Sequence, residues 1–227
     1  MKAIIFDFNG TMFMDTDKQR LAWDGFFRRE IGHGLTQQEF LTYACGPGNS
    51  EIMRRFCRRP LSDEDIRVLT EEKESIYRRL CAEDVENFHL VRGLPEMLDR
   101  LKAAGVPMAI ATGAGKSNMD FYFASFHLKN WFGYDRVVYD DGTLPGKPDP
   151  EGYLRASACL GVPPQECVVV EDSFAGLESA RRFGAGRIVA IATSNPRSAL
   201  EALPGVDVVV DDFTDFDAVC GTIVPRA

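Results

Sequence analysis

The stretch FDFNGTMF, residues 6 to 13, sets Asp7 directly after an apolar run, with Asn9 two positions on and a Gly10-Thr11 turn behind it. A carboxylate there is a turn or helix-cap group or, because a glycine turn lets backbone N–H groups approach an anion, part of a site for a charged ligand. A second stretch, IATGAGKSN, carries Thr112 at the end of an apolar run, then Gly113 and Gly115 ahead of a helix expected at about Ser117. A hydroxyl and exposed amides at a helix start suit a phosphoryl oxygen, and a plain strand-to-helix turn has the same appearance. Lys116 within it reads as a solvated surface charge. In LPGKPDPEGY a rigid Gly-Lys-Pro loop can aim Lys147, a compact cation, at phosphate or carboxylate. In VVVEDSFAG, Glu171 and Asp172 form either a helix start with Ser173 or a pair of hard oxygen ligands for Mg2+. Taken together with Asp7, the metal reading is the better one.

The elements that must position these groups are short β-rich runs: KAIIF (2 to 6), VPMAIA (106 to 111), RVVY (136 to 139), CVVV (167 to 170), RIVAIA (187 to 192) and VDVVV (206 to 210). Helical periodicity lies between the later runs, as in Leu94, Leu98 and Leu101 before Gly105, and Leu177 to Phe183 before Gly184. This alternation predicts an α/β fold, a parallel sheet with helices on both faces. Such sheets bind ligands beyond the carboxyl ends of their strands, where Asp7, Thr112 and the Glu171-Asp172 pair fall. Residues 15 to 86 carry no strand pattern. Ser62 before Asp63, Glu64 and Asp65 reads as a helix start, with Ile66, Leu69, Ile76 and Leu80 as its apolar stripe, and Thr36 with Glu39 has capping-box spacing. A helical insertion is expected there.

The chain has 227 residues, 45% of them hydrophobic, enough for one full domain plus such an insertion. A formal net charge of -8 argues against a nucleic-acid partner, which needs a basic face. The six cysteines, Cys45, Cys57, Cys81, Cys159, Cys167 and Cys220, form no CxxC pair and read as reduced thiols of a cytosolic protein. Asp7 and Asn9 break the first apolar run at once, so it reads as neither signal peptide nor membrane span. A cytoplasmic protein, monomeric or weakly dimeric and without membrane contact, is expected.

These four segments, in this order and with a helical insertion after the first, resemble the motif set of the haloacid dehalogenase superfamily of aspartate-based phosphatases and phosphomutases. The match spans nearly the whole chain and looks most like the β-phosphoglucomutase and phosphoglycolate-phosphatase branch. It implies a Rossmann-like core of residues 1–14 and 87–227 and a helical cap of residues 15–86. It also implies Asp7 as nucleophile, forming an aspartyl-phosphate, and Thr112 with backbone amides near Gly113 as phosphoryl ligands. Lys147 would balance charge, and Mg2+ would be held by Asp7, the Asn9 backbone carbonyl and Asp172, assisted by Glu171. The expected substrate is a small phosphorylated metabolite.

The resemblance breaks at Asn9, where phosphatases and mutases of this family usually carry a second aspartate that protonates the leaving oxygen and deprotonates the attacking water. An amide does neither at neutral pH. Hydrolysis is therefore expected to be impaired, with a bias toward good leaving groups and a long-lived aspartyl-phosphate. Asn9 before unhindered Gly10 is also prone to deamidation, which would restore the acid. Specificity is expected in the cap, with Gln19, Gly46, Asn49 and Lys73 as candidate substrate contacts. Gln19 lies near where the mutase branch has a histidine, which counts against a phosphomutase, and a phosphonatase would need a Schiff-base lysine such as Lys18 or Lys73. The alternative from another class is a weakened member that binds a phosphometabolite or a partner protein as a sensor.

Overall fold

The structure, a computed structural model, describes residues 1–36, 38–40, 48–57, 59–221 and 223. Two compact units divide it: residues 1–14 with 89–227, and residues 15–88.

The first unit is built on six parallel strands, β1 (Ala3–Phe6), β2 (Met108–Gly115), β3 (Val137–Asp140), β4 (Cys167–Glu171), β5 (Arg187–Ile191) and β6 (Val208–Val210), in the order β3-β2-β1-β4-β5-β6. All six apolar runs become strands. Each is apolar on both sides, as a sheet covered by helices on two faces requires. Ala3, Ile5, Ala109, Ala111, Val169 and Ala190 face one layer. There they meet Tyr153, Ala156, Leu177, Ala180 and Phe183, carried by two helices whose bounds are given below with the site. On the opposite face Phe6 meets the rings of Phe132 and Phe213 edge-on, at centroid distances of 6.5 and 6.1 Å.

Thr112 does not end its strand. β2 continues through Gly113 and Ala114 to Gly115, which pairs with Asp140 after a register shift that begins at Ala111. Hydrophobicity stops at Ala111 while the backbone ladder goes on, so the apolar run marks the strand's buried part only. The next helix starts at Lys116.

In the second unit, α1 (Thr16–Ile31), α2 (Asn49–Phe56) and α3 (Asp63–Glu83) pack Trp23, Phe26, Phe27, Ile52, Met53 and Leu69 into a small core. Ser62 caps α3 in a complete capping box with Asp65, and Thr36 and Glu39 form the same reciprocal pair. The buried face of α3 differs from the expected stripe. Leu69, Lys73, Tyr77 and Cys81 line it at four-residue intervals with Glu74 alongside, while Ile66, Ile76 and Leu80 are half-buried. Charged side chains replace aliphatic ones there because they find partners inside the unit, described below.

Two glycines in left-handed conformation separate backbone preference from crowding. Gly93 (φ +79°) opens α4 (Leu94–Ala103) so close to the Phe213-Thr214 peptide that an added Cβ would lie 2.7 Å from it, whereas Gly105 (φ +68°) has open space. Gly105→Ala should cost about 1 kcal/mol through the backbone alone, and Gly93→Ala at least about 2 kcal/mol more. Urea denaturation of the two variants measures this; equal losses would contradict the packing assigned to Gly93.

Candidate active site

The strand order reverses at β1, whose neighbours are β2 and β4, so the carboxyl ends of β1 and β4 flank the switch point where open α/β sheets bind ligands. Asp7 leaves β1 there, its N–H still bonded to Val170 O at 3.0 Å, and Glu171 ends β4 with Asp172 next. One carboxylate oxygen from each of Asp7, Glu171 and Asp172 lies within 4.8 Å of the others, and all three side chains are buried.

Lys147 enters this group from the loop before α6 (Glu151–Leu160). Two further helices follow β2 and β4 in the chain, α5 (Lys116–Ser125) and α7 (Phe174–Phe183). The Lys147 Nζ donates to Asp7 Oδ1 at 2.6 Å and to Glu171 Oε1, and lies 5.3 Å from the Tyr153 ring centroid. The loop is tied down by Ser179 of α7, whose hydroxyl donates to Asp149 O at 2.7 Å. Glu171 is an anchor on both oxygens. Its Oε1 accepts from Lys147 and from the Tyr153 hydroxyl (3.1 Å), and its Oε2 accepts from the Asp172 and Ser173 N–H groups at 2.8 and 2.9 Å and from the Ser173 hydroxyl at 3.1 Å. Ser173 also caps α7 through Gly176 N–H, so the helix-start reading of this stretch holds, and its two acids still lie in the carboxylate cluster.

Asp172 accepts from the Thr11 hydroxyl at 3.1 Å, a buried contact that the sequence reading did not assign. Gly10 lets the two loops meet, since a Cβ there would lie 2.2 Å from Asp172 Oδ2. Asn9 is held at both ends of its amide: Nδ2 donates to the Tyr122 hydroxyl at 2.8 Å, and Oδ1 accepts from the Thr112 hydroxyl at 3.3 Å. Tyr122, on α5, is fully buried and stacks on Phe8 at 4.3 Å, which fixes its hydroxyl. Thr112 Oγ1 in turn accepts from Ala114 N–H at 3.1 Å, and Gly113 beside it is exposed. Lys116 pairs with Asp120 on the surface.

Cyclisation of Asn9 would need the Gly10 nitrogen to attack the Asn9 side-chain carbon. That N–H is donated to Phe13 O at 2.8 Å, which together with the pinned amide opposes deamidation.

The candidate specificity residues belong to the helical unit. Lys73 Nζ donates to Gln19 Oε1 at 2.6 Å and Glu74 Oε1 at 3.1 Å, over the Trp23 ring at 4.9 Å. Asn49 reaches the same Glu74 oxygen at 2.7 Å, and Gln19 and Tyr77 both donate to Asp15 Oδ2. Asp15, Glu74 and Tyr77 were not anticipated. The four-residue spacings Asp15 to Gln19 and Lys73 to Tyr77 are a signal that could have found Asp15 and Tyr77. Gly46 lies outside the described residues. Lys18 pairs with Asp84 at 2.6 Å, so both lysines of the helical unit are held in ion pairs.

The electrostatics of the first unit's cluster test whether a metal fits. Burial drives the Asp7 carboxyl from the ordinary 3.8 to about 7; Lys147 opposes the shift and Glu171 adds to it. Burial, then Glu171 and Asp7, hold Asp172 well above the carboxylate range. Burial works against the charge of Lys147, but Asp7 and Glu171 outweigh it and keep the ammonium protonated. Once ionised, three clustered carboxylates facing one ammonium would carry excess negative charge that an added cation offsets, and the donor set is all hard oxygen, with no histidine or cysteine in the cluster. That chemistry fits Mg2+.

A carboxyl whose folded pKa is raised contributes stability that is full below 3.8 and is lost as pH rises through about 7. In chelator, the melting temperature should therefore fall between about pH 4 and 7 through Asp7, with Asp172 acting in the same direction, and Mg2+ should restore more at the higher pH. Scanning calorimetry of this chain and of Asp7→Asn checks this. The variant should show a flatter dependence; equal slopes would contradict it.

Comparison with known proteins agrees with this geometry. The family model for haloacid dehalogenase-like hydrolases matches residues 1–184. The chain is 28% identical to validoxylamine A 7'-phosphate phosphatase of Streptomyces hygroscopicus subsp. limoneus, over 94% of this chain and 95% of the relative. It is 31% identical to hexitol phosphatase A of Escherichia coli over 81% and 80% of the two chains. A solved structure of a family IA, variant 3 hydrolase from Entamoeba histolytica superposes with a TM-score of 0.85 at 32% identity, covering 94% of both chains. With the sheet reversing at an acidic cluster and the family model spanning most of its length, the chain belongs to the haloacid dehalogenase-like hydrolases.

Proposed function

We propose that this hydrolase is a phosphatase of a small phosphorylated metabolite, working through an aspartyl-phosphate on Asp7 and slowed in its proton-transfer steps by Asn9. The contact between Asp7 and Lys147 at the switch point carries the reading. A carboxylate oxygen of Asp7 attacks phosphorus while the bond to the leaving oxygen breaks. Water then attacks the same phosphorus, releasing phosphate and regenerating the carboxylate. Lys147 orients the carboxylate and opposes the charge gathering on the phosphoryl oxygens. Thr112 and the backbone amides near Gly113 would hold those oxygens. Bound Mg2+, held by Asp7, the Asn9 carbonyl and Asp172, would supply charge neutralisation at the phosphoryl group. Glu171 supports this set through Lys147 and through the Asp172 and Ser173 N–H groups.

Asn9 sets the magnitude. Positioned acid-base catalysis is worth roughly 10²–10⁴-fold, while phosphate-monoester hydrolysis can be accelerated by up to about 10²¹-fold. Loss of the proton carrier therefore slows the reaction without abolishing it, most for leaving groups that need protonation. Two of the relatives named above are by name a validoxylamine A 7'-phosphate phosphatase and a hexitol phosphatase, so sugar and polyol monophosphates are the substrate class to test. The helical unit, with Gln19, Asn49 and Lys73, is proposed as the cap that selects among them.

Mg2+-dependent turnover of sugar, acyl and aryl phosphates by this chain and by Asn9→Asp, with the mass at position 9 verified, tests the reading. Acyl and aryl phosphates should turn over at least roughly 10²-fold faster than polyol phosphates, and Asn9→Asp should close most of that gap. Polyol phosphate hydrolysis at equal rates with an intact amide would sink the assigned role of Asn9. Inert proteins that still bind a phosphometabolite would transfer the assignment to a sensor.

A further inference from the structure

The loop after β5 makes three consecutive contacts with the two loops that form the acidic cluster. The Thr193 hydroxyl donates to Gly10 O, Ser194 hydrogen-bonds the Asp172 carboxylate, and Asn195 Nδ2 donates to Asp172 O at 3.0 Å. No motif of the sequence reading included these residues. Their arrangement is selective: each side chain of a Thr-Ser-Asn run reaches a different acceptor, and all the acceptors belong to Gly10 or Asp172.

Those two loops are the ones whose separation matters. Asp7 and Asp172 end neighbouring strands, and their approach depends on Gly10 lying against Asp172. The Asn9-Gly10 peptide is already oriented by Gly10 N–H bonding to Phe13 O, and Thr193 fixes the next carbonyl. Thr11 and Ser194 both engage the Asp172 carboxylate, limiting how it can turn. A buried carboxylate with excess like charge around it would otherwise turn away from its neighbours.

We propose that Thr193, Ser194 and Asn195 form a positioning element that holds the Gly10 and Asp172 loops in register for a divalent cation. The inference rests on the metal reading of the cluster. Partners that orient a metal's ligands typically govern 10–100-fold of its affinity.

The experiment is calorimetric titration of Mg2+ into the full chain and into Ser194→Ala, Asn195→Ala, Ser194→Thr, Asp172→Asn and Ser198→Ala, with metal-free melting curves for each. Ser194→Ala and Asn195→Ala should bind Mg2+ about 10–100-fold more weakly with the metal-free melt preserved. Ser194→Thr, which keeps the hydroxyl, should recover affinity, and Ser198→Ala, an exposed neighbour, should leave it unchanged. Native-like affinity in both loop variants, alongside a loss in Asp172→Asn, would overturn this inference alone. Absence of saturable Mg2+ binding by the unaltered chain would overturn the metal reading and the inference with it. A loop variant whose metal-free melt collapses is judged through Ser194→Thr, where weakened affinity in a folded protein counts against the proposal.

Discussion

The burial of three carboxylates around one ammonium is the constraint on which the rest of the site depends. Lys147 touches Asp7 and Glu171, and Asp172 joins them with no ion pair of its own among the described residues. A like-charged cluster out of water is unfavourable unless it is neutralised by protons, hydrogen bonds or an added cation. Each surrounding feature answers that demand. The Asp172 and Ser173 N–H groups just ahead of α7 bond Glu171, Tyr153 and Ser179 steady the lysine and its loop, and Thr11 with the loop after β5 steadies Asp172. The topology places the cluster where β1 separates the two halves of the sheet, so residues far apart in sequence converge there.

Asn9 belongs to a different balance. Its amide is neutral and is fixed by two hydroxyls, one from β2 and one from α5. Next to a cluster already rich in negative charge, an amide adds none, so it costs less electrostatically than a second aspartate would. Under the proposed mechanism, what is given up is a proton carrier, and the site keeps the groups for binding and attack while relinquishing part of proton management.

The strands and the meeting of Asp7, Glu171 and Asp172 at their ends were legible because parallel β/α units leave a simple trace: an apolar run, then a polar residue at its end. The extension of β2 to Gly115 was not, because glycines and small residues carry no hydrophobic signal while their backbone still pairs with β3. The buried face of α3 was misread for a related reason. Periodicity registers Ile76 and Leu80 but cannot show that Lys73 and Glu74 neutralise each other inside a helical core. Thr193, Ser194 and Asn195 resemble ordinary turn residues in sequence, and only the sheet order brings them to Gly10 and Asp172.

The central claim is that Asp7 carries the phosphoryl group, and one measurement reaches it directly. The full chain is mixed with Mg2+ and acetyl phosphate, quenched in acid at a series of times, and its peptides are analysed by mass spectrometry. The account predicts a hydroxylamine-sensitive phosphate on the peptide containing Asp7, decaying more slowly than in Asn9→Asp. Turnover with no phosphate on that peptide at any time would contradict it.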